Sequence, residues 1–503
     1  MSETGTDLFH LPARLPDPAA APNVHHNPSD EELREFAAHD ERETEYGSPS
    51  YVSEFRSRSA DRTANAVDST FTGEDHRLLE AAVEATETQE LVCLDRVVGR
   101  HPEATFHCRL FVPTEYARIG LGWGKLLEEP PAGSDPDFQT VQLPDYEETA
   151  IRVCPEAGFT AVLGSDYTGE AKKSFLRLFM RRLKEDGGLG LHAGSKRVTV
   201  EDETGEMRTV GQLFMGLSAT GKSTLTSHDC DLESPESAEM LQDDVCGLLE
   251  SGIVAGSEGR GLYIKTDGLT EAEQPDLYRA ATAPSAVLEN VAVEEDGTVD
   301  FHENRYTSNG RAVVQRSELD SAAADVDLEA VDQVFFITRN PLMPPIAKLD
   351  ESEAAAAFML GESVQTSAGD PDRAGEAIRV VGTNPFIIGP EGKEGNRFRE
   401  LVSALDVECF LLNTGTLGGD VDIGVTDTVT LVTEAARGTI EWTHENQSKL
   451  TVPAAVPGLD LERFDVPAII DDYPAKIADL RAERRSYLES FPTLDPEIID
   501  AVY

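Results

Sequence analysis

Basic residues are scarce in this chain. Lysine and arginine together number 43 against 93 aspartates and glutamates, a formal net charge of -50 over 503 residues. A surplus of that sign repels nucleic acid and anionic membrane surfaces, so neither is expected as a partner. Cysteines are few and scattered: Cys93, Cys108, Cys154, Cys230, Cys246 and Cys409 form no C-x-x-C spacing. That pattern argues against a zinc site or a disulfide framework and for reduced thiols in a cytoplasmic protein. No apolar run approaches the roughly 18 residues of a membrane span. The opening Met1-Ser2-Glu3 lacks a signal peptide's basic start.

What is present instead is acid, spread along the whole length rather than gathered in a tail, with bases that are mostly arginine. Such a surface stays soluble at very high salt, where the Debye length is only about 3 Å and self-repulsion is screened. A halophilic cytoplasm is the environment it suits. Hydrophobic residues make up 40% of the chain, enough to bury substantial interiors, and the length predicts two or three domains.

The most informative stretch is Gly216-Leu217-Ser218-Ala219-Thr220-Gly221-Lys222-Ser223-Thr224, which satisfies the phosphate-loop pattern of Gly, four residues, Gly-Lys-Ser/Thr. The apolar Leu213-Phe214-Met215 ahead of it reads as a strand. Glycines there let backbone N–H groups turn inward around phosphate oxygens, and the helix after them adds its positive end. Lys222 would neutralise β- and γ-phosphates, and Ser223 would hold Mg²⁺ through its hydroxyl. About twenty residues on, Asp243-Asp244 supplies a second carboxylate element.

Elsewhere the pattern is of short strands and few crossover helices, which predicts an α/β protein with mixed sheets. Residues 1–70 are polar and Pro-rich apart from an amphipathic piece near Asp30 to His39; they are read as either flexible or draped on the body, with His25-His26 in a solvated loop. Leu78, Leu79, Ala82 and Val83 predict a helix over Asp75 to Gln89, with strands after it at Leu91–Leu94 and Val97–Val98. Arg100, between Gly99 and His101-Pro102, could grip a carboxylate or be an ordinary surface arginine. Tyr167 precedes a helix whose face carries Phe175, Leu176, Phe179 and Leu183. Lys172 and Lys173 at its start oppose the helix dipole, which pushes a lysine toward its neutral, metal-binding form; two solvated lysines are the alternative. His192 lies in a glycine-punctuated strand, as a ligand or as a structural histidine. Polar residues 195–209 read as a hairpin or hinge, and the main domain boundary is expected there.

Taken in order, Tyr167-x-Gly-Glu-x-Lys172-Lys173, the His192 strand, the Gly216–Thr224 loop and Asp243-Asp244 resemble the ATP-dependent phosphoenolpyruvate carboxykinase family over about residues 95–440. Smaller matches are Leu288-Glu289-Asn290-Val291, Leu342-Met343-Pro344-Pro345 and Asn413-Thr414-Gly415. The resemblance implies a two-domain α/β fold with the active site in the cleft between domains. It gives an acidic N-terminal extension over 1–70, a substrate-side domain over 71–200 and a nucleotide-binding domain over 201–503. It further implies decarboxylation of oxaloacetate and phosphorylation of the enolate by ATP, with Mg²⁺ and Mn²⁺ as cofactors, small molecules as the only substrates, and a monomer or small homo-oligomer.

By matching position, Lys173 as a neutral amine, His192 and Asp244 would bind Mn²⁺. Arg100 would hold the substrate carboxylate, Tyr167 would border the substrate and Lys172 would complete that catalytic set. Asp243 would sit behind the Mg²⁺ of Ser223, Arg311 would bridge substrate and γ-phosphate, and Glu273 and Thr428 would approach the nucleotide. The chain also departs from the family. Val421 and Asp422 replace a basic Lys-Arg pair, Gly194-Ser195-Lys196 replaces Ser-Ala-Asn, and Gln242 stands where glycine is usual. A kinase of the same fold with another acceptor, and a nucleotide-binding regulator without catalysis, are the alternative readings.

Overall fold

The computed structural model describes residues 8–57, 59–217, 220–364 and 377–503. The chain forms two compact units, Met1–Arg182 with Ser257–Asp320 and Leu183–Gly256 with Ser321–Tyr503. This differs from the expected division near residue 200. The stretch 195–209 lies within one antiparallel hairpin, Ala193–Glu201 against Met207–Met215. Residues 257–320 join the N-terminal segment because Gly261–Lys265 pairs with Arg311–Gln315, which pairs with Val287–Glu289, which pairs in parallel with Pro49–Tyr51. Pairing over such distances leaves no mark in local composition.

The first unit is built on a seven-stranded mixed sheet and a five-stranded one. Leu91–Val98, expected as two pieces, is a single strand buried along its whole length. Its charged Asp95 is accommodated by Arg109, whose Nε and NH2 donate at 2.7 and 2.9 Å. The helix Gly73–Thr88 starts on a capping box of Thr72 and Asp75 and buries the four apolar residues whose spacing predicts it. The described part of the first seventy residues is packed onto this unit: Val24–His26 pairs with Leu91–Val98, and Leu11 and Leu33 are fully buried.

The second unit is organised by an eight-stranded sheet in which Met207–Met215, Gln333–Thr338 and Glu408–Asn413 run parallel side by side. Phe214, Phe335 and Phe410 occupy the same register and stack at 5.2 and 5.1 Å between ring centroids. A one-residue slip of any of these strands would turn its ring to the opposite face, so this ladder holds the register. On that opposite face lies the helix Glu351–Leu360, whose last seven residues are all buried. All six cysteines are buried and free, and no helix among the described residues is long and apolar enough to cross a membrane.

Candidate active site

In the second unit the loop after Met215 leads directly into the helix Lys222–Ser227. Gly221 has φ +100°, a left-handed conformation that favours glycine. A Cβ on Gly216 would meet Thr220 Oγ1 at 2.5 Å and Ile337 Cβ at 3.1 Å, so the loop's close return also requires glycine there. Thr220 N and Oγ1 both donate to the Leu217 carbonyl, at 3.2 and 2.8 Å. Thr414 Oγ1 donates to the Thr220 carbonyl at 2.7 Å and ties the loop to the end of Glu408–Asn413. Ser218 and Ala219 lie outside the described residues.

His192 Nδ1 donates to the Thr383 carbonyl at 2.7 Å, which leaves Nε2 as an acceptor in the neutral ring. That Nε2 faces Asp244 Oδ1 at 3.0 Å. Two acceptors at this distance need a positive charge between or beside them, and Lys222 Nζ supplies one at 3.2 Å from Nε2 and 3.9 Å from Oδ1. An imidazole and a carboxylate converging in this way fit a divalent transition metal, and the Thr383 bond is the kind of outer contact that orients a ligating histidine. Ser223 is exposed and its Oγ donates to Asp243 Oδ2 at 3.2 Å, an all-oxygen pair suited to Mg²⁺. The departure at Lys196 has a local explanation. Its buried ammonium donates to the Leu225 and His228 carbonyls at 2.6 and 2.5 Å, closing the end of the helix Lys222–Ser227.

In the first unit, the ring of half-buried Tyr263 gathers three of the expected residues. Lys172 Nζ and Arg311 Cζ lie over it at 5.5 and 5.4 Å, and the Tyr167 ring is 6.3 Å away. Lys172 is also ion-paired with Glu258 at 2.9 Å, the two side chains 3% and 2% exposed. Arg311 donates to Asn309 Oδ1 at 2.8 Å, and Asn309 Nδ2 reaches the Tyr167 hydroxyl at 3.3 Å. The Tyr263 hydroxyl donates to Glu289, which also accepts Thr168 N at 3.0 Å and Thr168 Oγ1 at 2.9 Å. Burial pushes the Tyr263 phenol and the Glu289 carboxyl above their ordinary values, so Tyr263 stays a donor.

Arg100 leaves its strand through Gly99, at φ +84°, where a Cβ would lie 1.8 Å from the Ala104 carbonyl oxygen. Its NH2 donates to Glu128 Oε1 at 2.6 Å and to the Gly259 carbonyl at 2.7 Å. Nearby Arg316 is pushed down to about 10 by burial and by Arg100, against the pull of Glu258. Arg100, Lys172, Arg311 and Arg316 thus form a cation-rich group that suits a carboxylate or phosphate ligand. Lys173 lies one residue beyond Lys172 on the helix Thr168–Glu185 and is half-buried.

Glu273 and Thr428 are the remaining expected nucleotide residues. Glu273 is exposed in the first unit, its backbone N donating to Thr270 Oγ1 at 3.2 Å. Thr428 is buried in the helix Val425–Arg437 with its hydroxyl donating to the Gly424 and Val425 carbonyls at 3.2 and 2.8 Å. Asp422 is exposed and accepts the Thr416 hydroxyl at 2.6 Å. Sequence reasoning missed Tyr263, Glu258, Arg316 and Thr383, and it gave Glu289 and Asn309 no role of their own. Only the last two carried a signal, as members of recognisable motifs, since Glu258 and Thr383 enter through long-range contacts.

A family model described as phosphoenolpyruvate carboxykinase matches residues 22–462. A phosphoenolpyruvate carboxykinase (ATP) of Aeropyrum pernix is 37% identical over 363 residues, covering 71% of this chain and 72% of that relative. Proteins of the same name from Mesorhizobium japonicum and Chelativorans sp. are 28% and 29% identical, covering 77% and 79% of this chain and 73% and 75% of their own lengths. The chain belongs to the ATP-dependent phosphoenolpyruvate carboxykinase family.

Proposed function

We propose that this enzyme converts oxaloacetate and ATP to phosphoenolpyruvate, CO₂ and ADP. The C–C bond to the departing carboxylate breaks and its electron pair becomes an enolate. The enolate oxygen then attacks the γ-phosphorus while the bond to ADP breaks, so negative charge must be stabilised twice. Arg100, beside Arg316, orients the oxaloacetate carboxylate, and Tyr167 with Lys172 borders the organic substrate. Arg311, held by Asn309 and the Tyr263 ring, meets the charge of the transferring phosphoryl group. Lys222 neutralises the phosphates above the Gly216, Leu217, Thr220, Gly221 and Thr224 backbone, with Ser218 and Ala219 completing that loop.

Lys173 as its neutral amine, His192 and Asp244 would hold Mn²⁺, and Ser223 with Asp243 behind it would hold Mg²⁺. When bound, these ions supply charge stabilisation at the enolate oxygen and at the phosphoryl group. Glu273 and Thr428 are assigned to the nucleotide by family position alone. The acidic surface is assigned to a halophilic cytoplasm, and the working form to a monomer or small homo-oligomer.

The observation that carries the reading is the convergence of His192 Nε2 and Asp244 Oδ1 beside Lys222. Phosphoryl transfer to a simple hydroxyl has no need of an enolate-stabilising ligand pair. A coupled assay for phosphoenolpyruvate, at high KCl with Mg²⁺ and Mn²⁺, tests it. Product should depend on both oxaloacetate and ATP; ATP binding without any such product would reject it.

A further inference from the structure

The three parallel strands of the second unit end within two residues of one another in register. Thr338 pairs with Asn413, and Met215 pairs with Phe336. Beyond Met215, Thr338 and Asn413 the chain continues into the 216–224 loop, Arg339 and Thr414-Gly415 respectively. Ligands of open α/β sheets bind outside the carboxyl ends of such strands. The three connections are in close contact there. Ile337 approaches Gly216, Thr414 N donates to the Thr338 carbonyl at 2.9 Å, and a Cβ on Gly415 would lie within 3.0–3.2 Å of Arg339 Cα, C and Cβ. Gly415 is therefore the residue that lets the chain pass against Arg339.

Arg339 is half-buried, and its Nε is shielded from solvent with no hydrogen-bond partner among the described residues. Other charged groups of the second unit are already engaged. Arg463 is held by Asp427 Oδ1 and Oδ2 at 3.1 and 3.3 Å. Glu362 is held by Arg484 and Arg379, and Lys222 faces His192 and Asp244. A guanidinium left with an unsatisfied buried donor carries a desolvation cost that an anionic ligand would relieve.

We propose that Arg339 binds the polyphosphate of the nucleotide, supplying positive charge in a region where Val421 and Asp422 offer none. This rests on the nucleotide-binding part of the proposed function, not on the decarboxylation. The planar fork matches phosphate oxygens bidentately.

The test is ATP binding by calorimetry to the full chain without oxaloacetate, so that a failure of the decarboxylase assignment leaves it interpretable. Arg339→Gln should raise the Kd for ATP by about tenfold to a hundredfold, the range expected for a lost charge-assisted contact. Arg339→Lys should recover part of the loss, and KM for oxaloacetate should not move. Adenosine is the control ligand and should bind as it does to the wild type. Arg339→Met, neutral and of similar length, serves as the second variant if Arg339→Gln does not fold. A Kd for ATP within about twofold of wild type in a folded neutral variant, or an equal loss for adenosine, overturns the proposal.

Discussion

His192 is held from both sides, by the Thr383 carbonyl at Nδ1 and by Lys222 at Nε2, beside Asp244. Ring orientation is thereby set before any ligand arrives, which is what a metal-binding imidazole needs. The assignment of Lys173 as a third ligand comes from family position, and Lys173→Met tests it. Turnover should fall at least about a hundredfold while ATP binding is largely retained; turnover at the wild-type rate would refute the metal role. Glu362 makes a separate prediction about stability. Burial opposes its ionisation, but Arg484 and Arg379 outweigh that and hold its carboxyl down at about 2 instead of the ordinary 4.5. A carboxyl whose folded value is depressed stabilises the protein fully above the unfolded value and loses that contribution as pH falls toward the folded one. Stability worth about 3 kcal/mol should therefore disappear between about pH 4.5 and about pH 2. Glu362→Gln should be less stable at neutral pH, with buried Arg484 left without its anion and Arg379 keeping only Glu483, and should show a flatter acid limb in denaturant titrations. An unchanged acid limb in that variant would count against the pairing.

Among the elements, the in-register Phe214, Phe335 and Phe410 ladder decides where the candidate phosphate loop begins. Phe335 is fully buried between the other two rings, so Phe335→Ala should cost about 3–5 kcal/mol in chemical unfolding. A loss below about 1 kcal/mol would mean the ladder is incidental. The strand ahead of the loop was legible because its apolar run ends at a glycine-rich turn, and the helix over 73–88 because its apolar spacing and Thr72-x-x-Asp75 start are local. The loop, His192 and the Asp243-Asp244 pair were legible as motifs. What stayed hidden was non-local. Gly261–Lys265 gave no sign that it would pair back toward Pro49–Tyr51 through intervening strands, so a single boundary near residue 200 was too simple. Tyr263 belongs to no motif, and nothing in sequence spacing joins it to Lys172 and Arg311.

For the molecule as a whole, a net charge of -50 is the dominant property outside the candidate site. Self-repulsion should destabilise the folded chain at low salt and be screened as the Debye length shrinks from about 10 Å at 0.1 M to about 3 Å at 1 M. The thermal midpoint should accordingly rise with KCl over that range, and a flat or falling midpoint would argue against adaptation to salt. The same field makes local positive charge valuable wherever a triphosphate must bind, which is why the arginines and lysines of the two units matter beyond their number. The central claim is that the γ-phosphoryl group of ATP ends on carbon-derived enolate oxygen. Phosphorus NMR of the enzyme with ATP and oxaloacetate reads this directly. Phosphoenolpyruvate and ADP should appear in equal amounts, and the appearance of inorganic phosphate in place of phosphoenolpyruvate would contradict the account.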